Sequence, residues 1–109
     1  MKKIDSISVK NGKVHAHLNW MLFEDSEKGI FVGLIPTLKI AAHTKDVDSL
    51  SVVLNQMVKR FFEFYSGKKL ERELSRQGWN NFNPPEDIKV PIRVMYGKTK
   101  IKELEFNCQ

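Results

Sequence analysis

At 109 residues, with 41% hydrophobic and 28% charged residues, the chain reads as one globular domain over 1–109 with a single core. Its longest apolar runs fall well short of the roughly 18–20 residues that cross a bilayer, so no membrane partner is expected. The net charge of +5 is spread along the chain, with one concentration between Lys59 and Arg76, which favours a nucleic-acid or acidic-protein partner and leaves the fold open. Asp5, Ser6 and Ser8 occupy the place where a signal peptide needs its apolar run. Cys108 is the single cysteine, which excludes an intrachain disulfide and suits a reducing cytoplasm.

The first element is a hairpin. In "ISVKNGKVHAHLNWMLF", Asn11-Gly12 separates two alternating runs, and both residues accept the positive φ of a type I′ turn. Pairing Lys10 with Lys13 sets Val9 against Val14 and Ile7 against Ala16, and continues to Leu18, Trp20 and Leu22 on one face. Ser6, Ser8, His15, His17 and Asn19 fall on the other face, together with Met21 and Phe23. A polar turn, Glu24 to Gly29, leads to a third strand over 30–35, which Pro36 stops because it cannot donate to a ladder. Residues 38–43 form a fourth strand.

Asp46 has the properties of an N-cap, with Asp48 in the first turn of the helix that follows. Val47, Leu50, Val53, Leu54, Met57, Val58, Phe61, Phe64 and Tyr65 lie on one broad arc at about 100° per residue, leaving Phe62 as the edge aromatic. Gly67 lets the chain leave this helix. A shorter helix is expected over 69–77, with Leu70 and Leu74 one turn apart, Gly78 at C′ and Trp79 reaching back to Leu74 in a Schellman end. A connector over 80–87 precedes a strand over 88–96, weakened by Pro91, and a last strand over 101–106. The expected fold is α+β: an antiparallel sheet of five to six strands with one long and one short helix on one face, in β-β-β-β-α-α-β-β order.

Several residues in this order resemble the HicB family, the antitoxins of HicBA toxin–antitoxin systems, which have a partial ribonuclease-H-like fold. The matching positions are Glu24, Asp25, Glu27 and Gly29 in the acidic turn, Val32 and Pro36 in the third strand, Leu38, Asp46 at the cap, Leu50 and Tyr65. "LSRQGW" and "DIKVPI" extend the similarity, which covers residues 14–95. The chain departs from the family at Thr37 and Thr44, where a Pro-Gly turn and a glycine are usual. No separate DNA-binding domain is expected either, since only a strand is expected after Tyr96. The resemblance implies a cytoplasmic, non-catalytic protein that binds a small basic HicA-type toxin, an mRNA-cleaving enzyme, and forms a homodimer or higher homo-oligomer. Glu24, Asp25, Glu27, Asp46 and Asp48 are the natural complement to such a toxin.

Ribonuclease-H catalysis needs carboxylates on strands that converge on divalent metal, and residues 14–23 contain none. His15 and His17 share a strand face and have the spacing of two metal ligands, with His43 or an acid as the candidate third; the simpler reading is polar residues on an open sheet face. Cys108 lacks an evident base, so no nucleophile, cofactor or metal is expected. Lys59, Arg60, Lys68, Lys69, Arg72 and Arg76 form the alternative, a nucleic-acid-binding helical strip interrupted in sequence by Glu63, Glu71 and Glu73. Met21 and Phe23 on the polar sheet face would stand in water unless covered, which makes them candidates for self-association.

Overall fold

The hairpin forms in the expected register in the computed structural model, which describes residues 4–85 and 99–107. Strands β1 (Ser6–Lys10) and β2 (Lys13–Asp25) pair Lys10 with Lys13, Val9 with Val14 and Ile7 with Ala16. Asn11 and Gly12 both take positive φ, 53° and 76°, as a type I′ turn requires. Burial follows the alternation at most positions: Ile7, Val14, Ala16, Leu18, Trp20 and Leu22 are buried and Ser6, Ser8 and His15 are exposed, whereas Val9 is exposed and His17 buried.

Strands β3 (Ile30–Ile35) and β4 (Ile40–Thr44) continue the meander. β4 starts two residues later than its apolar run suggests. Leu38 and Lys39 belong instead to a turn whose N–H groups donate to the carbonyls of Ile35 (3.3 Å) and Pro36 (3.4 Å), with Lys39 left-handed at φ 56°. Leu38 is thereby directed into the core, where it is buried.

Strand β5 (Thr99–Asn107) pairs antiparallel with β2 along His15–Phe23. A strand has two edges, and this settles the layout. Residues 15–17 of β2 pair with both β1 and β5, and residues 21–23 with both β3 and β5. β1 and β3 therefore lie end to end on the edge of β2 opposite β5. Between them the ladder has a gap beside Asn19, and the carboxylate of Asp5 fills it: the Asn19 N–H donates to Asp5 Oδ1 at 2.9 Å, in place of a neighbouring strand's carbonyl.

Helix α1 (Val47–Phe64) packs over the apolar face, close above β3. Gly33 makes this approach possible. A Cβ there would lie 2.8 Å from Leu54 Cδ1 and 3.2 Å from Leu50 Cγ, both in fully buried side chains. The buried row is Leu50, Leu54, Val58 and Phe62. This corrects the expected helix face. Phe62, expected at the edge, is 5% exposed and stacks on Phe106 at 5.2 Å, whereas Phe64, expected inside, is 72% exposed. The cause is β5, which sets Leu104 and Phe106 beside β2 and so turns the helix face toward that side.

Helix α2 (Lys68–Arg76) buries Leu70 and Leu74 in the same core. Its end is the expected Schellman motif. Trp79 N–H donates to the Leu74 carbonyl (2.8 Å), Gly78 N–H donates to that of Ser75 (3.1 Å), and Gly78 takes φ 98°. The architecture is α+β: among the described residues, an antiparallel sheet of five strands with two helices. The strand expected over 88–96 and Cys108 lie outside the described residues. Among the described residues, no helix is long and apolar enough to cross a membrane.

Candidate functional site

The acidic residues come together at one end of the sheet. Glu24 pairs with Phe31, and Phe31 pairs with Thr44, so a single row crosses β2, β3 and β4 at this end. At about 4.8 Å per strand step, Glu24 and Thr44 are about 10 Å apart, and Asp46 follows two residues later. Glu24, Glu27, Asp46 and Asp48 are exposed, and Asp25 is half-buried, its Oδ1 accepting from Lys28 N–H at 3.4 Å. Lys28 and Lys45 stand among them and Lys100 on β5 pairs with Leu22 at the same end, so five carboxylates against three lysines leave −2.

Asp46 is also the cap of α1. Its carboxylate accepts from Ser49 N–H and from Ser49 Oγ, each at 2.8 Å, and the backbone hydrogen bond is the main reason its pKa falls below 3.8. The folded state therefore prefers the ionised form. The cap's contribution is present above 3.8 and is lost as the pH falls through the lowered folded value. Asp46→Ala should lower the melting temperature at neutral pH, and the gap from the parent should close in acid. A gap unchanged down to strong acid would mean that Asp46 acts by some other route.

His15 and His17 are taken up by the β2–β5 seam. His17 is buried, its Nδ1–H donates to Glu105, and its Nε2 lies 3.4 Å from Glu103 Oε1. His15 Nδ1 is bonded to Asn107 Oδ1 at 2.6 Å. His43 is on β4, two strands across and level with Phe23, about 20 Å from His17 by strand geometry. The three imidazoles do not converge, and among the described residues no group of three or more potential ligands is arranged for a metal.

On the same face, Phe23 is buried at 9% exposed and Met21 is half-buried. The premise that both stand in water is therefore corrected. Cross-strand neighbours Val32 and Leu34 share that face with them, and Ile101 opposite Met21 is the most exposed apolar member, at 42%.

The basic strip divides in two. Lys59 turns toward a groove of about 590 Å³ between α1 and β5, lined also by Phe62, Glu63, Glu105 and Phe106. Arg60, Lys68, Lys69, Arg72 and Arg76 are exposed elsewhere on the two helices.

One constellation escaped the sequence reading. Asp5, 7% exposed, accepts from Asn19 N–H, from Asn19 Nδ2 (2.5 Å) and, through Oδ2, from Thr37 Oγ1 (2.6 Å). The carbonyl of buried Thr37 in turn accepts from Trp79 Nε1 at 2.8 Å. Thr37, a departure from the HicB pattern, is thus the link between the sheet and the end of α2. The available signal was Trp79, since a buried indole N–H needs an acceptor.

Compared with known proteins, the chain matches no family model, no curated protein and no solved structure.

Proposed function

We propose that this chain is a non-catalytic HicB-like antitoxin that neutralises a small basic HicA-type toxin by binding it through the acidic end of the sheet. One observation carries the reading. Two acidic groups 19 or more residues apart in sequence, Glu24–Glu27 and Asp46–Asp48, meet at one end of a rigid sheet. Carboxylates held on strand ends and a capped helix start keep their places when a cationic partner arrives, so little ordering is needed on binding. The residues resembling HicB antitoxins supply the partner class: a basic protein whose RNA-cleaving site is masked.

The test is co-expression with the product of a short neighbouring reading frame that encodes a basic, double-stranded-RNA-binding-like protein. The parent chain should restore growth and co-purify with that product. Glu24→Lys combined with Glu27→Lys and Asp48→Lys should weaken capture about 100-fold or more while leaving circular dichroism unchanged, because like charges across an interface cost several kcal/mol. Unchanged capture by the triple variant would move the partner to another surface. No such neighbour and no captured toxin would remove the antitoxin reading altogether.

A further inference from the structure

The corner between α1 and α2 carries a second charged surface, opposite in sign and unused by toxin neutralisation. Phe64 ends α1 with its ring 72% exposed, and its ring contact within the fold is an edge-on approach to Tyr65 at 4.8 Å. Arg60 lies one turn earlier on the same side of the helix, at the i,i+4 spacing that makes neighbours. Lys68 begins α2 after a corner of three residues.

Along α2 the buried pair Leu70 and Leu74 defines the inward direction. At about 100° per residue, Lys68, Lys69, Arg72 and Arg76 then share an outward arc about 100° wide. Glu71 and Glu73, which interrupt the strip in sequence, fall on its two flanks. Glu73 is half-buried, and its carboxylate accepts from Arg76 at 3.3 Å and from Gln77 Nε2 at 3.2 Å. Lys68, Arg72 and Arg76 follow one another in a single row, with a rise of about 6 Å per step.

We propose that this corner binds single-stranded nucleic acid, with a base stacked on Phe64 and phosphates held by Arg60, Lys68, Lys69, Arg72 and Arg76. The cations alone would suit any polyanion. The exposed aromatic ring, one helical turn after Arg60 and four residues before Lys68, is what selects a nucleic acid, because a base supplies a π-face and an acidic polypeptide does not. It also selects a single strand, whose unpaired bases are free to stack outside the chain's own helix. The surface stands apart from the acidic end and does not depend on the toxin reading.

The experiment titrates labelled oligouridylate, oligothymidylate and an RNA duplex by fluorescence anisotropy, with poly-L-glutamate as competitor. Both single strands should bind the parent, with log K falling against log salt at a slope of about −3, or about 60-fold between 50 and 200 mM, as expected for four to five phosphate contacts. Arg72→Glu with Arg76→Glu should reduce that slope by about 1.4. Phe64→Ala should weaken binding about tenfold with the slope unchanged, and Phe64→Trp should restore it. Glu24→Lys, Glu27→Lys and Asp48→Lys should leave the titration no weaker than that of the parent, which keeps this surface separate from the toxin site. Three results overturn the proposal. One is no binding at 50 mM salt. Another is poly-L-glutamate competing as well as an oligonucleotide of equal charge while Phe64→Ala has no effect, which assigns the corner to an acidic polypeptide. The third is duplex bound as tightly as single strand.

Discussion

Replacing Phe62 with alanine should destabilise the protein by about 3–4 kcal/mol, while Phe64→Ala should stay within about 0.5 kcal/mol of the parent. The two residues sit two positions apart on one helix with identical side chains, so chemistry is held constant and only position differs. Phe62 is 5% exposed, stacked on Phe106 at an interplanar angle of 27° and met edge-on by Phe61 at 5.2 Å. Its truncation removes the burial of a whole ring and leaves a void beside two aromatic neighbours that cannot collapse into it without leaving their own partners. Phe64 gives up little that folding had gained, and alanine is the better helix former at an exposed site. Urea unfolding at neutral pH measures both. If the costs came out reversed, α1 would be seated with its other flank on the sheet, as the apolar arc by itself suggests.

Asp5→Ala should cost about 3 kcal/mol, a large effect for a residue just before the first strand. Three donors lose their acceptor at once: the Asn19 N–H, the Asn19 amide and the Thr37 hydroxyl. Each is left in or near the interior, where an unmade hydrogen bond costs about 1–3 kcal/mol, and water reaching the cavity would return part of that. The Asn19 N–H matters most, because it lies beside the gap that β1 and β3 leave in the ladder along β2. Thr37→Val should cost less, since only the hydroxyl is lost and the carbonyl that receives Trp79 Nε1 remains. Asp5→Ala within about 0.5 kcal/mol of the parent, the range of an ordinary surface change, would mean that the carboxylate is dispensable as a substitute for a strand.

Both predictions concern contacts between segments far apart in sequence, and that is where reading the chain alone reached its limit. The first hairpin was legible because its information is local: Asn11-Gly12 sets the turn, the turn sets the register, and a period of two assigns the faces. The Asp46 cap and the Gly78–Trp79 helix end were legible for the same reason, each being closed within about one turn of helix by hydrogen bonds between near neighbours. The α+β class followed from the order of such elements.

The sequence by itself determined the order of the described elements, the first turn, the Asp46 cap, the Gly78 helix end, the inward face of β2 and the residues of both charged groups. Tertiary structure decided how those groups sit in space. β5 pairs with a strand more than 70 positions earlier, and no periodicity in either segment specifies that pairing. Once made, it shifts α1 so that Phe62 goes in and Phe64 comes out, and it engages His15 and His17 with Asn107 and Glu105 instead of leaving them as ligands. The antiparallel meander likewise brings Asp46 beside the end of β2 that holds Glu24. Helix geometry moves Glu71 and Glu73 off the basic arc they interrupt in sequence. An apolar stripe says which side of a helix is greasy, but the partner beneath it chooses which part of that stripe is buried.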